Sequence, residues 1–274
     1  MEHIFFAIPS YRRAQCLIDK TLLLLHKKLN IATYNITVFV VLEELAEYQA
    51  ALQDYPEVTI QVGPLGLHHM RNHIRRYYPA GTALIQIDDD VEAFFYMQED
   101  LSISDTKSAK RYPLHEMNAD TFQETMLSAF QELHAKKIHL FGIYPVKNGY
   151  FMKDLPERTT DLRFCVGAFW GCINQPCETL QLHLEEKEDV ERTLLYYMQD
   201  QGVLRLNRMV LKTRYYKTPG GMQARPYDRI ETSKASCQYL LSTFPQACKL
   251  YTSKKSGIYE IRLNATAAPS TKTP

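Results

Sequence analysis

Three consecutive aspartates, Asp88, Asp89 and Asp90, follow directly on the apolar stretch Ala83–Ile87. Adjacent carboxylates repel one another, so three at a strand end lower stability unless a cation or solvent compensates them. Side chains alternate along extended backbone, which sends Asp88 and Asp90 to one side and Asp89 to the other. Asp88 and Asp90 can then share one hard divalent cation, Mn2+ or Mg2+. Such a cation can bridge the oxygens of a diphosphate and offset charge developing on a leaving group. Asp89, facing the other way, is placed to accept hydrogen bonds from sugar hydroxyls. The plain alternative is an acidic turn closing a strand, because short Asp-x-Asp matches are common.

A second group of chemistry-bearing residues is Lys187-Glu188-Asp189, at the start of a helical pattern. A helix dipole holds an aspartate at that position as the carboxylate. It can take the proton of an attacking hydroxyl as a general base. An ordinary charged first turn explains the same residues, since Glu185, Glu186 and Glu191 crowd the stretch. Arg71 can pair with a phosphate or a base, or be a solvated helix charge. Trp170, the only tryptophan, lies with Phe169 beside Gly171, where an acceptor can stack or where a core can close.

These residues need a scaffold that brings them together. His3–Ile8, Asn35–Leu42, Val58–Val62 and Ala83–Ile87 are short apolar or β-branched runs and read as buried strands. Ala14–Leu29, Leu45–Leu52 and Leu67–Tyr78 have apolar residues at helical spacing. Strand and helix in alternation with short connections demand an α/β fold with a parallel sheet covered on both faces. Ligands of such sheets bind outside the carboxyl ends of the strands. The segments there are Pro9–Arg13, Glu43-Glu44, Gly63–Gly66 and Asp88–Asp90. Later in the chain the pattern predicts loops at Met97–Leu114 and Asn148–Thr160. It predicts helices at Ala119–Ala135 and Lys187–Asp200, and strands at Ile138–Tyr144, within Phe164–Ile173 and within Val203–Tyr216.

The Asp triplet closes the fourth strand, where a GT-A glycosyltransferase carries its Asp-x-Asp. Ile8-Pro-Ser-Tyr-Arg12, Gly63-Pro-Leu-Gly66 followed by Arg71-Asn72, and Ile87-Asp-Asp-Asp90 together resemble the TET-associated and base-J-type glycosyltransferases. That family glycosylates hydroxymethylated pyrimidines in DNA and occurs in kinetoplastids and phages. The resemblance is specific over residues 1–95 and looser through Phe164–Asn174 and Lys187–Asp189. Beyond Asp200 it rests on Pro219-Gly220-Gly221.

The resemblance implies a GT-A, Rossmann-like α/β fold with a mostly parallel sheet and helices on both faces. It implies one domain over residues 1–263, with a nucleotide-sugar half at 1–95 and an acceptor half at 96–263. The Ala-, Thr- and Pro-rich tail 264–274 reads as disordered. The implied donor contacts are Pro9, Ser10, Tyr11, Arg12, Glu43, Gly66, Arg71, Asn72, Asp88 and Asp89, with metal at Asp88 and Asp90. Asp189 is the implied base, and Trp170, Gly171 and Glu188 the implied acceptor contacts. The implied activity is inverting transfer of a hexose, glucose from UDP-glucose, to a hydroxymethyl group on DNA. One departure is that no His follows His183 to serve as a late metal ligand. Either the metal is held by the Asp cluster, diphosphate and water alone, or a carboxylate such as Asp228 substitutes; Lys217 or Arg225 can instead assist the diphosphate.

DNA has independent, weaker support. Arg205, Arg208, Lys212, Arg214, Lys217, Arg225 and Arg229 concentrate positive charge, with Tyr215, Tyr216 and Tyr227 among them. Basic residues track phosphates and aromatic faces stack on unpaired bases. A strand with a basic outer face reads the same from Leu204 to Leu211, and the net charge of +1 gives no general affinity for nucleic acid. Two rivals remain open: a GT-A enzyme acting on a glycan, lipid or protein, and a non-catalytic DNA-binding module. No apolar run reaches the roughly 20 residues of a membrane span, and Ile4–Ile8 is too short for a signal-peptide core. The expected compartment is the cytoplasm, or the nucleus in a eukaryote. The six cysteines form no CxxC pair, which argues against zinc.

Overall fold

The computed structural model describes residues 4–213, 229–252 and 258–264. Strand β1 (Ile4–Pro9) leads into helix α1 (Ala14–Leu17), which continues as wider π-type turns over Ile18–Lys28. Then come β2 (Ile36–Val40), α2 (Leu45–Ala51), β3 (Thr59–Val62), α3 (Leu67–Tyr77) and β4 (Ala83–Ile87). Alternation within each strand feeds two separate cores. Phe6, Ile8, Val38, Val40, Ile85 and Ile87 pack against Leu17, Leu22 and Leu25 of α1 and Tyr48 of α2. Ala7, Phe39 and Leu84 face the other way, against Met70 and Ile74 of α3. Each such Leu, Ile or Phe contributes about 1.5–3 kcal/mol on burial, so the helical and strand periods together fix the layers.

The second half contains β5 (Ala93–Met97), β6 (Leu114–Glu116), α4 (Ala119–Lys136), β7 (Leu140–Ile143), β8 (Arg158–Thr159) and β9 (Phe169–Ile173). It ends with α5 (Glu188–Asp200), β10 (Leu204–Leu206), β11 (Met209–Lys212), α6 (Arg229–Thr243), β12 (Cys248–Thr252) and β13 (Tyr259–Leu263). The main sheet has the order β3-β2-β1-β4-β9-β7-β10-β8. Strands β3, β2, β1 and β4 are parallel, and β9 runs antiparallel between β4 and β7. Strand β10 is parallel to β7, and β8 closes the edge antiparallel. Helix α4 joins α1 and α2 on one face, while α5 and α6 join α3 on the other.

The structure differs from the sequence reading mainly after Asp90. The expected loop at 97–114 carries a 3-10 turn at Ala109–Arg111 and the start of β6. The loop at 148–160 carries a turn at Gly149–Met152 and then β8. Strand β5 was not anticipated; it pairs with β11 and β6 in a small second sheet, order β11-β5-β6. Within the expected strand region 203–216, the described residues 203–213 hold two strands, β10 and β11. The assignments made for Arg214, Tyr215, Tyr216, Lys217, Pro219-Gly220-Gly221, Arg225, Tyr227 and Asp228, for the side chain of Arg229, and for 265–274 lie outside the described residues. Among the described residues no helix is long and apolar enough to cross a membrane, and all six cysteines are free thiols.

Candidate active site

The carboxyl ends of β1, β2 and β4 meet the approach to β9 and the start of α5 around a cleft of about 550 Å³. The chain dictates this convergence. Pro9 cannot extend the ladder, Gly66 adopts φ 114° to turn β3 into α3, and Lys187 adopts φ 66° to open α5. Pro9, Ser10, Tyr11, Gly66, Arg71, Asp88, Asp89, Asp90, Glu188 and Asp189, all singled out from sequence, border the cleft.

The three aspartates have different partners. Asp88 accepts from Arg71 Nη2 at 2.7 Å and keeps 38% of its side-chain surface. Asp89 is 4% exposed; its Oδ2 accepts from Ser10 Oγ at 2.6 Å and its Oδ1 from Arg13 Nη1 at 3.1 Å. Asp90 accepts from Thr213 Oγ1 at 2.7 Å and lies 3.5 Å from Arg13 Nη1. Asp89 therefore anchors the end of β1 instead of standing open to sugar hydroxyls. Burial in a protein-lined cleft lifts Asp88 to about 7, with Arg71 opposing and Asp90 and Asp89 adding to the rise. Burial also lifts Asp89 to about 6, against the pull of Arg13 and Ser10. Carboxylates held this far from their ordinary range are ones that a dication would stabilise.

Among the described residues no three His, Cys, Asp or Glu groups cluster to hold a metal unaided. Two carboxylates, completed by diphosphate oxygens and water, suit Mg2+ or Mn2+, which rarely sit in all-protein cages. The donor set of Asp88 and Asp90 fits that mode. The late ligand considered at Asp228 lies outside the described residues. Among the described residues, eight acids and three bases, Arg13, Arg71 and Lys187, border the cleft, so this part of the lining repels a bare diphosphate.

On the second wall, Asp189 Oδ2 accepts from Gly167 N at 3.2 Å and its Oδ1 from Val190 N at 2.9 Å. Burial first, and then the neighbouring Glu188 charge, raise its pKa. A base moved toward neutrality holds an abstracted proton better than an ordinary aspartate. Glu188 is buried between two arginines, 2.8 Å from Arg192 Nη1 and 4.0 Å from Arg71 Nε. Glu191 ties down the preceding loop by accepting from His183 N and Leu184 N, both at 2.9 Å.

Several expected contacts are placed elsewhere. Arg12 is exposed, with its backbone N–H on Glu44 at 2.9 Å; its neighbour Arg13 is the arginine on the cleft. Glu43 is exposed and away from the cleft, while Glu44 is buried at the turn after β2. Arg12 adopts φ 55° just before α1, and its backbone N–H holds the Glu44 carboxylate. Asn72 is buried and brackets Leu182, donating to its carbonyl at 2.8 Å and accepting its N–H at 2.9 Å. Trp170 is 4% exposed, with the Arg192 guanidinium 4.2 Å over its ring, so no acceptor can stack on it. Gly171 is a core glycine: a Cβ there would lie 2.2 Å from the Phe141 ring. Arg205 is buried, bonded to Asn207 at 2.6 Å and stacked on Tyr144, and Lys212 pairs with Glu92 at 2.7 Å. Of the described part of the basic stretch, Arg205 is thus spent inside the protein, while Lys212 is exposed and paired.

Sequence reasoning missed Arg13, Tyr48 and Glu185. Tyr48 Oη lies 2.7 Å from Ser10 Oγ and accepts from Arg13 N at 3.2 Å, extending the Asp89 network. Glu185 accepts from Leu67 N at 3.1 Å and pairs with His68, capping the free N–H donors at the start of α3. The clue to Glu185 was the acid run itself, which has too many carboxylates for a helix cap.

No protein-family model matches the chain, and no curated protein matches it in sequence. Among solved structures it is similar to S. aureus TarS 1-349 in complex with UDP-GlcNAc, with a TM-score of 0.50 and 12% identity. The match covers 87% of this chain and 66% of that one. The fold is GT-A. A further similarity is to the mannosyltransferase PcManGT from Pyrobaculum calidifontis in complex with GDP-Man and Mn2+ (TM-score 0.49, 12% identity, 89% of this chain and 64% of that one). The chain thus spans just under two thirds of the length of each of these two solved chains, and 39% of a longer solved TarS chain.

Proposed function

We propose that the chain is a metal-dependent, inverting glycosyltransferase that moves a hexose from a nucleotide-sugar to a hydroxyl acceptor. The observation that carries this reading is one cleft with Asp88 and Asp90 on one wall and Asp189, with its raised pKa, on the other. A divalent cation at Asp88 and Asp90 would offset the charge of the diphosphate, which the surplus of acids in the cleft otherwise repels. Arg13 and Arg71 fix the carboxylates that border the donor. Asp189 accepts the proton of the acceptor hydroxyl as its oxygen bonds to the anomeric carbon. The bond from that carbon to the diphosphate breaks, and the electron pair leaves with the diphosphate. A single displacement turns an α-linked donor into a β-glycoside.

UDP-glucose is the donor, and a hydroxymethylated pyrimidine in DNA the acceptor, on the resemblance carried by residues 1–95. A base within a duplex has to be flipped out or met unpaired to reach such a cleft. A glycan, lipid or protein acceptor is the second reading, favoured by the burial of Trp170 and Arg205. Incubation with hydroxymethylated and unmodified DNA and a panel of nucleotide sugars, read by nucleoside mass spectrometry, separates the two. A hexose added only to hydroxymethylated DNA supports the first. Donor hydrolysis without DNA modification moves the assignment to the second. No hydrolysis of any donor leaves a non-catalytic DNA-binding module.

A further inference from the structure

One residue, Gly167, joins the two walls of the cleft through both of its backbone polar groups. The Gly167 carbonyl accepts from Arg71 Nη2 at 3.1 Å, and the same nitrogen donates to Asp88 Oδ1 at 2.7 Å. The Gly167 N–H donates to Asp189 Oδ2 at 3.2 Å. Asp88, Arg71, Gly167 and Asp189 therefore form a continuous chain from the metal-side carboxylate to the base. The next residue repeats the tie in backbone, since Ala168 O accepts from Asp88 N at 3.0 Å.

The surroundings of Gly167 are buried and charged. Arg71 is 1% exposed and Arg192 is 2% exposed. Arg192 donates to Glu188 Oε2 at 2.8 Å and to Cys165 O at 3.0 Å, two residues before Gly167. The Trp170 ring lies 4.2 Å from the Arg192 guanidinium and 6.0 Å from that of Arg71. A Cβ at Gly167 would be crowded: it would lie 3.1 Å from Glu188 Oε1 and 3.4 Å from Asp189 Cβ, so these side chains would have to give by a few tenths of an ångström. Both contacts press on the residues that carry the base.

We propose that Gly167, held by the Arg71–Glu188–Arg192 cluster, is the positioning residue that sets the separation of Asp88 from Asp189, and so of donor from acceptor. This rests on the transferase reading above. A residue whose carbonyl is bonded to one wall and whose N–H is bonded to the other couples a shift of either wall to its neighbour. A misplacement of about 1 Å between reacting groups can lower turnover about 100-fold. Donor affinity depends on the first wall alone and is indifferent to that spacing.

The test is Gly167→Ala in the full chain, with Glu188→Gln as an isosteric second variant that weakens the hold on both arginines. Thermal melting reports folding, calorimetry with UDP and Mn2+ reports donor affinity, and steady-state kinetics with the acceptor identified for the wild type separate kcat from the donor KM. The expected result for each folded variant is a kcat lowered about 10- to 100-fold, with the UDP dissociation constant within twofold of wild type. Wild-type kcat in either folded variant overturns the inference, as does a parallel loss of UDP affinity, which would make the cluster part of the donor site. An inactive wild type that still binds UDP and Mn2+ overturns the transferase reading itself, and this inference with it.

Discussion

Arg71 is the residue whose removal the structure makes most informative. It is 1% exposed and donates to Gln86 Oε1 at 3.1 Å, Asp88 Oδ1 at 2.7 Å and Gly167 O at 3.1 Å. A surface helix charge that merely met a phosphate would lower donor affinity and leave folding alone. Arg71→Ala instead strands the Asp88 carboxylate and the buried Gln86 carbonyl. Glu188 keeps Arg192 at 2.8 Å and is not orphaned. Asp88 keeps 38% of its side-chain surface, so the loss falls below the about 3–5 kcal/mol of a fully buried pair and is about 1.5–3 kcal/mol, the worth of a hydrogen bond to a charged group. At about 2–4 °C per kcal/mol for a chain somewhat smaller than this one, the melting temperature should fall by about 3–12 °C. Arg71→Lys keeps the charge without the fork and should fall between. The cause can be isolated in a double-mutant cycle, because Asp88→Asn removes the stranded charge. Its cost in the Arg71→Ala background should be smaller than in the wild type by at least about 0.5 kcal/mol. Differential scanning calorimetry reads both quantities. A melting temperature within 2 °C of wild type, roughly the shift of a single surface contact, would refute the bracing role, and strict additivity would refute its electrostatic origin.

Three further outcomes follow from the same geometry. Asp88→Asn or Asp90→Asn should abolish transfer while the fold persists, and chelator should stop the wild type until Mn2+ or Mg2+ is restored; full activity in excess chelator removes the metal from the mechanism. Asp88 rises to about 7 and Asp89 to about 6 from 3.8, so between about pH 4 and 7 the folded chain holds protons that the unfolded chain has released. The metal-free protein should therefore lose stability as pH rises through that window. Added Mn2+, which competes with those protons, should raise the melting temperature more at pH 8 than at pH 5, and the opposite order is the failing result. Asp189→Asn keeps size and shape but cannot accept the proton; transfer should drop about 100- to 10,000-fold with UDP affinity nearly unchanged, and a normal rate or an α-linked product excludes Asp189 as base.

The first half of the chain is legible because local pattern and tertiary demand coincide there. Ala83–Ile87 is both an apolar run and a central strand, so the Asp triplet falls where a parallel sheet puts its ligands. The same agreement places Asp189 at the start of α5. The misreadings share one physical origin: near the site, the direction of a side chain is set by partners distant in sequence. Arg12 and Arg13 are indistinguishable in type, and only Tyr48, Asp89 and Asp90 decide that Arg13 turns inward. Glu43 and Glu44 are separated by the single N–H of Arg12. Trp170 looked available because tryptophan is rare and glycine flanks it. Two buried arginines, arriving from helices about 100 and 20 residues away in the chain, take its ring into the core. Arg205 likewise belongs to a stretch whose basic pattern suggests a polyanion, yet the strand register at β10 turns it against Tyr144 and Asn207. Composition therefore locates the cleft, but which charges face a ligand and which hold the walls apart is decided by burial. In this chain the arginine chosen from sequence to meet the donor is the one that the structure uses to join the walls.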